Sequence, residues 1–153
     1  MQIELSQEQY KTLVKSLALA GWVTSVVNDE KFEDEVIAEK VQEFQELEQY
    51  ILSKYEEFGA KDLVFQEPET KEFLTYQQVE ESIFPILETY EEFIFWDELT
   101  FRLSRRDLLL NHGEDAVQIM DPLHRMELEE EYLVRYNDEF NRNDLSRLFI
   151  QVK

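Results

Sequence analysis

Apolar positions along this chain recur mostly with the period of a helix. Ser6 and Gln9 form a capping-box pattern, and Tyr10, Leu13, Val14, Leu17, Ala18 and Gly21 then share one face. Trp22, Val23, Val26 and Val27 widen that face, and Gly21 within it predicts the close approach of another helix. The polar run "NDEKFEDE" reads as a connection. A second helix carries the cleanest stripe: Ile37, Val41, Phe44, Glu48, Ile51, Tyr55 and Phe58, with Gly59 as its stop. Glu48 is the one polar residue in it. Residues 60–75 mix turn formers with apolar residues and predict an ordered loop with a short strand or turn of helix.

Thr75 and Gln78 suggest another cap, ahead of Val79, Ile83, Ile86, Leu87, Tyr90 and Phe93. Pro85 inside this third helix predicts a kink or a restart. Near residues 93–95 the apolar face jumps by almost half a turn of the wheel, which predicts a break. A fourth helix then runs from Phe95 to Asn111 and stops at Gly113. Asp121-Pro122 is a helix start, with Asp as N-cap and Pro at the first position. Leu123, Met126, Leu133, Tyr136 and Phe140 mark this fifth helix. Short alternations at Ile3 and Leu5, and at Leu148, Ile150 and Val152, suggest a strand pairing of the two ends. The expected fold is mainly α: one domain over residues 1–153, a bundle of about five helices with that small strand pair.

Composition sharpens this picture. Of the 153 residues 43% are apolar and 13% aromatic, too much apolar material for a disordered acidic chain. Only three glycines and three prolines are present, which favours long helices over tight β turns. Acids outnumber Lys plus Arg by 35 to 15, a net charge of −20. That argues against direct binding of nucleic-acid phosphate or anionic membrane and favours a basic protein partner. No cysteine is present, so disulfides, thiolate chemistry and Cys-based zinc sites are excluded. "MQIELSQEQYK" lacks the basic-then-apolar pattern of a signal peptide, and no stretch is long and apolar enough to span a bilayer. A cytoplasmic location is the expectation.

Little points to catalysis. His112 and His124 form no Glu-x-x-His or His-Glu-x-x-His pattern. Asp121, His124 and Glu127 are spaced by three, but Asp121 is better read as a helix cap than as a metal ligand. Gly21, Gly59 and Gly113 are too far apart for a phosphate loop. "NDEFNRND" lacks the Gly and Glu of a calcium loop. No catalytic residue, cofactor or metal site is assigned.

The one basic cluster lies in "FWDELTFRLSRRDLLL". On a helical wheel Arg105 points outward with Glu98, whereas Arg102 and Arg106 fall beside Phe95, Leu99 and Leu109. A guanidinium facing a core needs a carboxylate or a route to water. Glu48 and Glu129, each within an apolar stripe, are the candidates for an ion-pair cluster; capture of a small anion is the alternative. Trp22 and Trp96 read as core aromatics, or as walls of a pocket in that second case.

"FWDELTFRLSRRDLL" followed by "NHGED", the opening "IELSQEQYKTLVKSLALAGW" and the closing "EEEYLVRYNDEFNRNDLSRL" resemble a group of small acidic bacterial proteins of no assigned function. That resemblance implies a bacterial, soluble, mostly helical protein and no particular mechanism. The function expected from the residues themselves is an interaction or regulatory module with an acidic surface. A DNA-mimicking decoy is the alternative, since 20 charges match roughly 34 Å of duplex at about one charge per 1.7 Å. Acids spread over every segment, and the arginines that interrupt them, weigh against it. An enzyme or small-anion binder using Arg102 and Arg106 is the third class.

Overall fold

A computed structural model describes residues 3–25 and 35–149. The elements are α1 (Gln7–Ser25), α2 (Glu35–Leu52), β1 (Val64–Gln66), β2 (Phe73–Thr75), α3 (Gln77–His112), α4 (Glu114–Ile119) and α5 (Pro122–Asn143). The fold is mainly α, with five helices among the described residues and one short antiparallel strand pair. The chain divides into two compact units, Met1–Thr89 and Tyr90–Lys153, and α3 contributes to both.

In the first unit the expected capping box closes α1: Gln9 N donates to Ser6 Oγ at 3.2 Å and Ser6 N to Gln9 Oε1 at 2.8 Å. The core gathers Tyr10 and Val14 of α1, Leu52 of α2, Ala60, Leu63 and Val64 around the hairpin, and Val79 of α3. Tyr10 stacks on Phe58 with ring centres 4.4 Å apart. Its hydroxyl donates to the Ile51 carbonyl at 2.7 Å, so a buried ring still satisfies its polar end. That carbonyl lies at the end of α2, where intrahelical donors run out. The α-helix closes at Leu52 rather than Phe58. The chain then winds on in tighter turns, with Lys54 N bonded to Ile51 O and Tyr55 N to Leu52 O. Gly59, at φ +62°, ends the winding as its sequence position predicts.

The strand pair differs from expectation. It is a hairpin in which Val64 pairs with Thr75, Phe65 with Leu74 and Gln66 with Phe73. Ile3 to Leu5 carries no strand, nor does Leu148, and Ile150 and Val152 lie outside the described residues. The Gln49 side chain completes the hairpin edge. Its Nε2 donates to Phe73 O at 2.9 Å and its Oε1 accepts from Phe73 N at 2.8 Å. An amide side chain from α2 thereby stands in for a third strand. The cap expected from Thr75 and Gln78 is not used, because Gln78 reaches back to the Asp62 carbonyl.

The break expected near residues 93–95 is absent; α3 is continuous for 36 residues, through Pro85. No helix breaker occupies 93–95, so the backbone had no reason to stop there. The jump in apolar face has another origin. Val79, Ile83 and Leu87 are buried in the first unit, and Thr100, Ser104 and Leu108 in the second. Each set steps by four, and a step of thirteen separates them, so the helix buries different faces in its two parts. In the second unit α5 returns antiparallel along α3, pairing Trp96 with Phe140, Asp107 with Tyr136 and Asn111 with Tyr132. Asp121 caps α5 as expected, accepting from Leu123 N at 3.0 Å and His124 N at 3.2 Å.

Burial, then the Glu57 charge, pushes the Tyr10 phenol from 10.0 up to about 12. A raised phenol value means stability that is complete below pH 10 and lost as pH climbs through 12. Tyr10→Phe is expected to lower unfolding free energy by about 1 kcal/mol at pH 7. In urea titrations followed by circular dichroism, the gap between the two proteins should narrow above pH 10. A constant gap would show that the hydroxyl proton is not held by the fold.

Candidate functional site

The arginine cluster is arranged differently from the wheel. Thr100 and Ser104, with Leu108, are the buried positions of α3 in the second unit. With Thr100 and Ser104 inward, Ser104 Oγ satisfies itself on Thr100 O at 2.7 Å. This rotates the contact face, and Phe95, Phe101 and Leu110 become exposed. The arginines turn outward with them. The Arg102 side chain is 78% exposed and bonds Glu98 at 2.8 Å along the same helix. The Arg106 side chain is 54% exposed. The expected inward pair of arginines is therefore corrected: neither points into a core.

Asp107 is the polar centre instead. Its side chain is only 17% exposed. Oδ1 accepts from Arg106 Nη2 at 2.7 Å and Nε at 2.9 Å; Oδ2 accepts from Tyr136 Oη at 2.5 Å and Arg135 Nη2 at 3.0 Å. Arg106 Nη2 also donates to Tyr136 Oη at 3.0 Å. Arg135 lies over the rings of Tyr132 and Tyr136, with its guanidinium carbon 4.9 and 5.4 Å from their centres. Burial alone would raise the Asp107 carboxyl. The Tyr136 and Arg106 hydrogen bonds and the charges of Arg106 and Arg135 outweigh it and hold the group below its ordinary value. Burial and the bond to Asp107 push the Tyr136 phenol up. The arrangement ties α3 to α5 and leaves no free nucleophile or base.

Glu129 is half-buried and lies 3.8 Å from Arg105, the arginine the wheel had sent to solvent. Glu48 belongs to the first unit, in a crevice lined by Leu17, Ala20, Gly21 and Thr24 of α1 with Phe44 and Gln45 of α2. A Cβ at Gly21 would stand 3.6 Å from Glu48 Oε1, so the close approach predicted at Gly21 is made by this carboxylate. Among the described residues no other charged side chain lines the crevice, and burial raises the Glu48 carboxyl above its ordinary value. Within the second unit Arg102 pairs with Glu98 and Arg106 with Asp107 and not with Glu129, while Glu48 lies in the first unit. Trp22 is half exposed, with its ring edge-on to Phe84 at 6.0 Å. Trp96 packs on Phe140 at 5.4 Å and donates from Nε1 to Glu92 at 2.5 Å.

The outer side of α5 carries a different kind of feature. Leu123, Met126, Glu127, Glu130 and Val134 follow the three-and-four spacing of a single helix face. Leu123 is 71% exposed, Met126 62% and Val134 53%. Leu123, Met126, Glu127 and Glu130 border a shallow depression of about 340 Å³. Sequence reading placed Leu123 and Met126 in the core-facing stripe; only Leu133, Tyr136 and Phe140 of that stripe are shielded from solvent to any degree. No family model, curated protein or solved structure matches the chain.

Two outcomes follow from the carboxylates. Glu48, raised from its ordinary 4.5, costs stability as pH rises through its folded value. Glu48→Gln should raise the melting temperature at neutral pH, with the gain vanishing near pH 4. Asp107, lowered, contributes stability above its ordinary 3.8 that is lost as pH falls through the folded value. Asp107→Asn should cost about 2 kcal/mol at pH 7. Arg102→Ala, at an exposed ion pair, should stay within about 0.5 kcal/mol. Chemical denaturation of the two variants distinguishes them, and equal losses would remove Asp107 from its central place.

Proposed function

We propose that this chain is a protein-interaction module that receives a basic amphipathic helix from a partner on the outer face of α5. The observation that carries the reading is the exposed stripe of Leu123, Met126 and Val134, bordered by Glu127 and Glu130, on a chain of net charge −20. Helix-in-groove recognition uses apolar anchors at this spacing. Acidic borders select a partner whose own apolar stripe is flanked by Lys or Arg. The apolar contact supplies affinity, and the surrounding charge supplies orientation and encounter rate. Nothing in this reading requires catalysis. Among the described residues no helix is long and apolar enough to cross a membrane.

The test uses a synthetic leucine–lysine helix and a scrambled peptide of the same charge, titrated calorimetrically into the full chain. The amphipathic peptide is expected to bind with a Kd on the order of 10 μM, at least about tenfold tighter than the scrambled one. Leu123→Asp with Met126→Asp should weaken it by about tenfold or more, with the circular dichroism spectrum unchanged because both side chains are exposed. Raising salt from about 50 to about 300 mM should weaken binding without abolishing it. Equal binding by both peptides, or by the double variant, would refute a site on this face.

A further inference from the structure

We infer that the second unit holds a binding site for a small neutral ring ligand in the cleft between the Trp96 end of α3 and the C-terminal end of α5. The cleft has a volume of about 580 Å³, within the range of small-molecule sites. Trp96 and Phe140 form its apolar part, and Thr100, Asn137 and Asn141 present hydrogen-bonding groups to it. Asn137 and Asn141 are one helical turn apart on α5, so their amides lie side by side.

The state of these polar groups points to a ligand. Helical threonines commonly return the hydroxyl to the preceding turn. Thr12, Thr24 and Thr89 do so, to Glu8 O at 2.9 Å, Ala20 O at 3.1 Å and Pro85 O at 2.7 Å. Thr100 is only 3% exposed, yet its hydroxyl makes no hydrogen bond among the described residues. The Asn137 and Asn141 side chains likewise make none there, while nearby Asn143 donates to Glu139 at 3.0 Å. The Thr100 hydroxyl keeps a small exposed area, and that area faces the cleft, so whatever fills the cleft is its partner. One hydroxyl and two amides, each able to donate and accept, converge on an aromatic wall without using one another.

The charge of the cleft selects the ligand class. Arg142, which lines it, is 3.4 Å from Asp138, and the Asp144 carboxylate accepts from Leu145 N at 2.7 Å, so both signs are already engaged. A net charge of −20 disfavours a phosphate or carboxylate, and Arg142 disfavours a cation. What fits is an uncharged ring with one apolar face for Trp96 or Phe140 and donors and acceptors on its edge. Nucleosides and monosaccharides share this chemistry. The site is independent of the outer face of α5 proposed for the partner helix.

Trp96 provides the readout, since Trp22→Phe leaves it as the single tryptophan. Adenosine and glucose are titrated separately into this full-length variant, and Trp96 fluorescence is followed. The expected result is a saturable change with at least one of them below about 10 mM. Response to adenosine alone assigns the base class, to glucose alone the sugar class, and to both the shared chemistry. Thr100→Val keeps the shape of a side chain whose hydroxyl bonds nothing, so the melting temperature should hold while affinity falls about tenfold. Asn141→Ala, at an exposed position, should weaken binding similarly. Silence from both compounds, or binding that survives both substitutions unchanged, overturns the assignment.

Discussion

The carboxylate of Asp107 is a charge held mostly out of water, and it is tolerated because four donor atoms from three side chains converge on it. Two of those side chains come from α5 and one from α3, so satisfying the charge also fixes which turns of the two helices meet. Few large apolar residues are buried there: Leu108 and Val117 join the small side chains of Thr100 and Ser104. A contact so poor in buried apolar area gains register from a directional network that only one alignment satisfies. The Trp96–Phe140 and Asn111–Tyr132 pairs flank the same alignment on either side.

That network also decides where the surface stays acidic. Cations are the scarce charge, 15 against 35 acids, and each one committed to a carboxylate leaves the others less balanced. Arg106 and Arg135 go to Asp107, Arg105 to Glu129, Arg142 to Asp138 and Arg147 to Glu139. Glu130 has no cation among these pairs, and among the described residues Glu127 meets only His124, at 3.9 Å. Among the described residues, the carboxylates beside Leu123 and Met126 are therefore not paired with any Lys or Arg.

Sequence patterns disclosed what is local. The Ser6–Gln9 box and the Asp121-Pro122 start act within a few residues, and each appears in its expected place; Gly59 has the expected left-handed turn, but the α-helix before it closes at Leu52. What stayed hidden depends on tertiary contact. Strands of three residues are too short for a period-two signal, and the edge of β2 is completed by Gln49, remote in sequence. The break placed near 93–95 was a real change of buried face but not a change of backbone. The wheel of the arginine stretch centred on leucine and phenylalanine. The buried face carries Thr100 and Ser104 instead, with the Ser104 hydroxyl paired to the Thr100 carbonyl. Asp107 has only a faint signal in the sequence, an acid between Leu103 and Leu108 and a neighbour of Arg106. It is that, and also the acceptor for Arg135 and Tyr136.

An exposed apolar stripe normally invites self-association. Here each copy carries −20, and two copies meeting through α5 would bring Glu127 and Glu130 against their own kind. Like charges facing across an interface are penalised, and at about 0.1 M salt the field reaches about 10 Å from the surface. On the proposed reading, the charge that would repel a second copy would attract a cationic helix, so one surface would discriminate between partners by sign before any apolar contact forms. In that proposal the high net charge and the exposed leucine and methionine would be parts of one device: the charge would keep the stripe open in solution, and the stripe would give the charge a place to act.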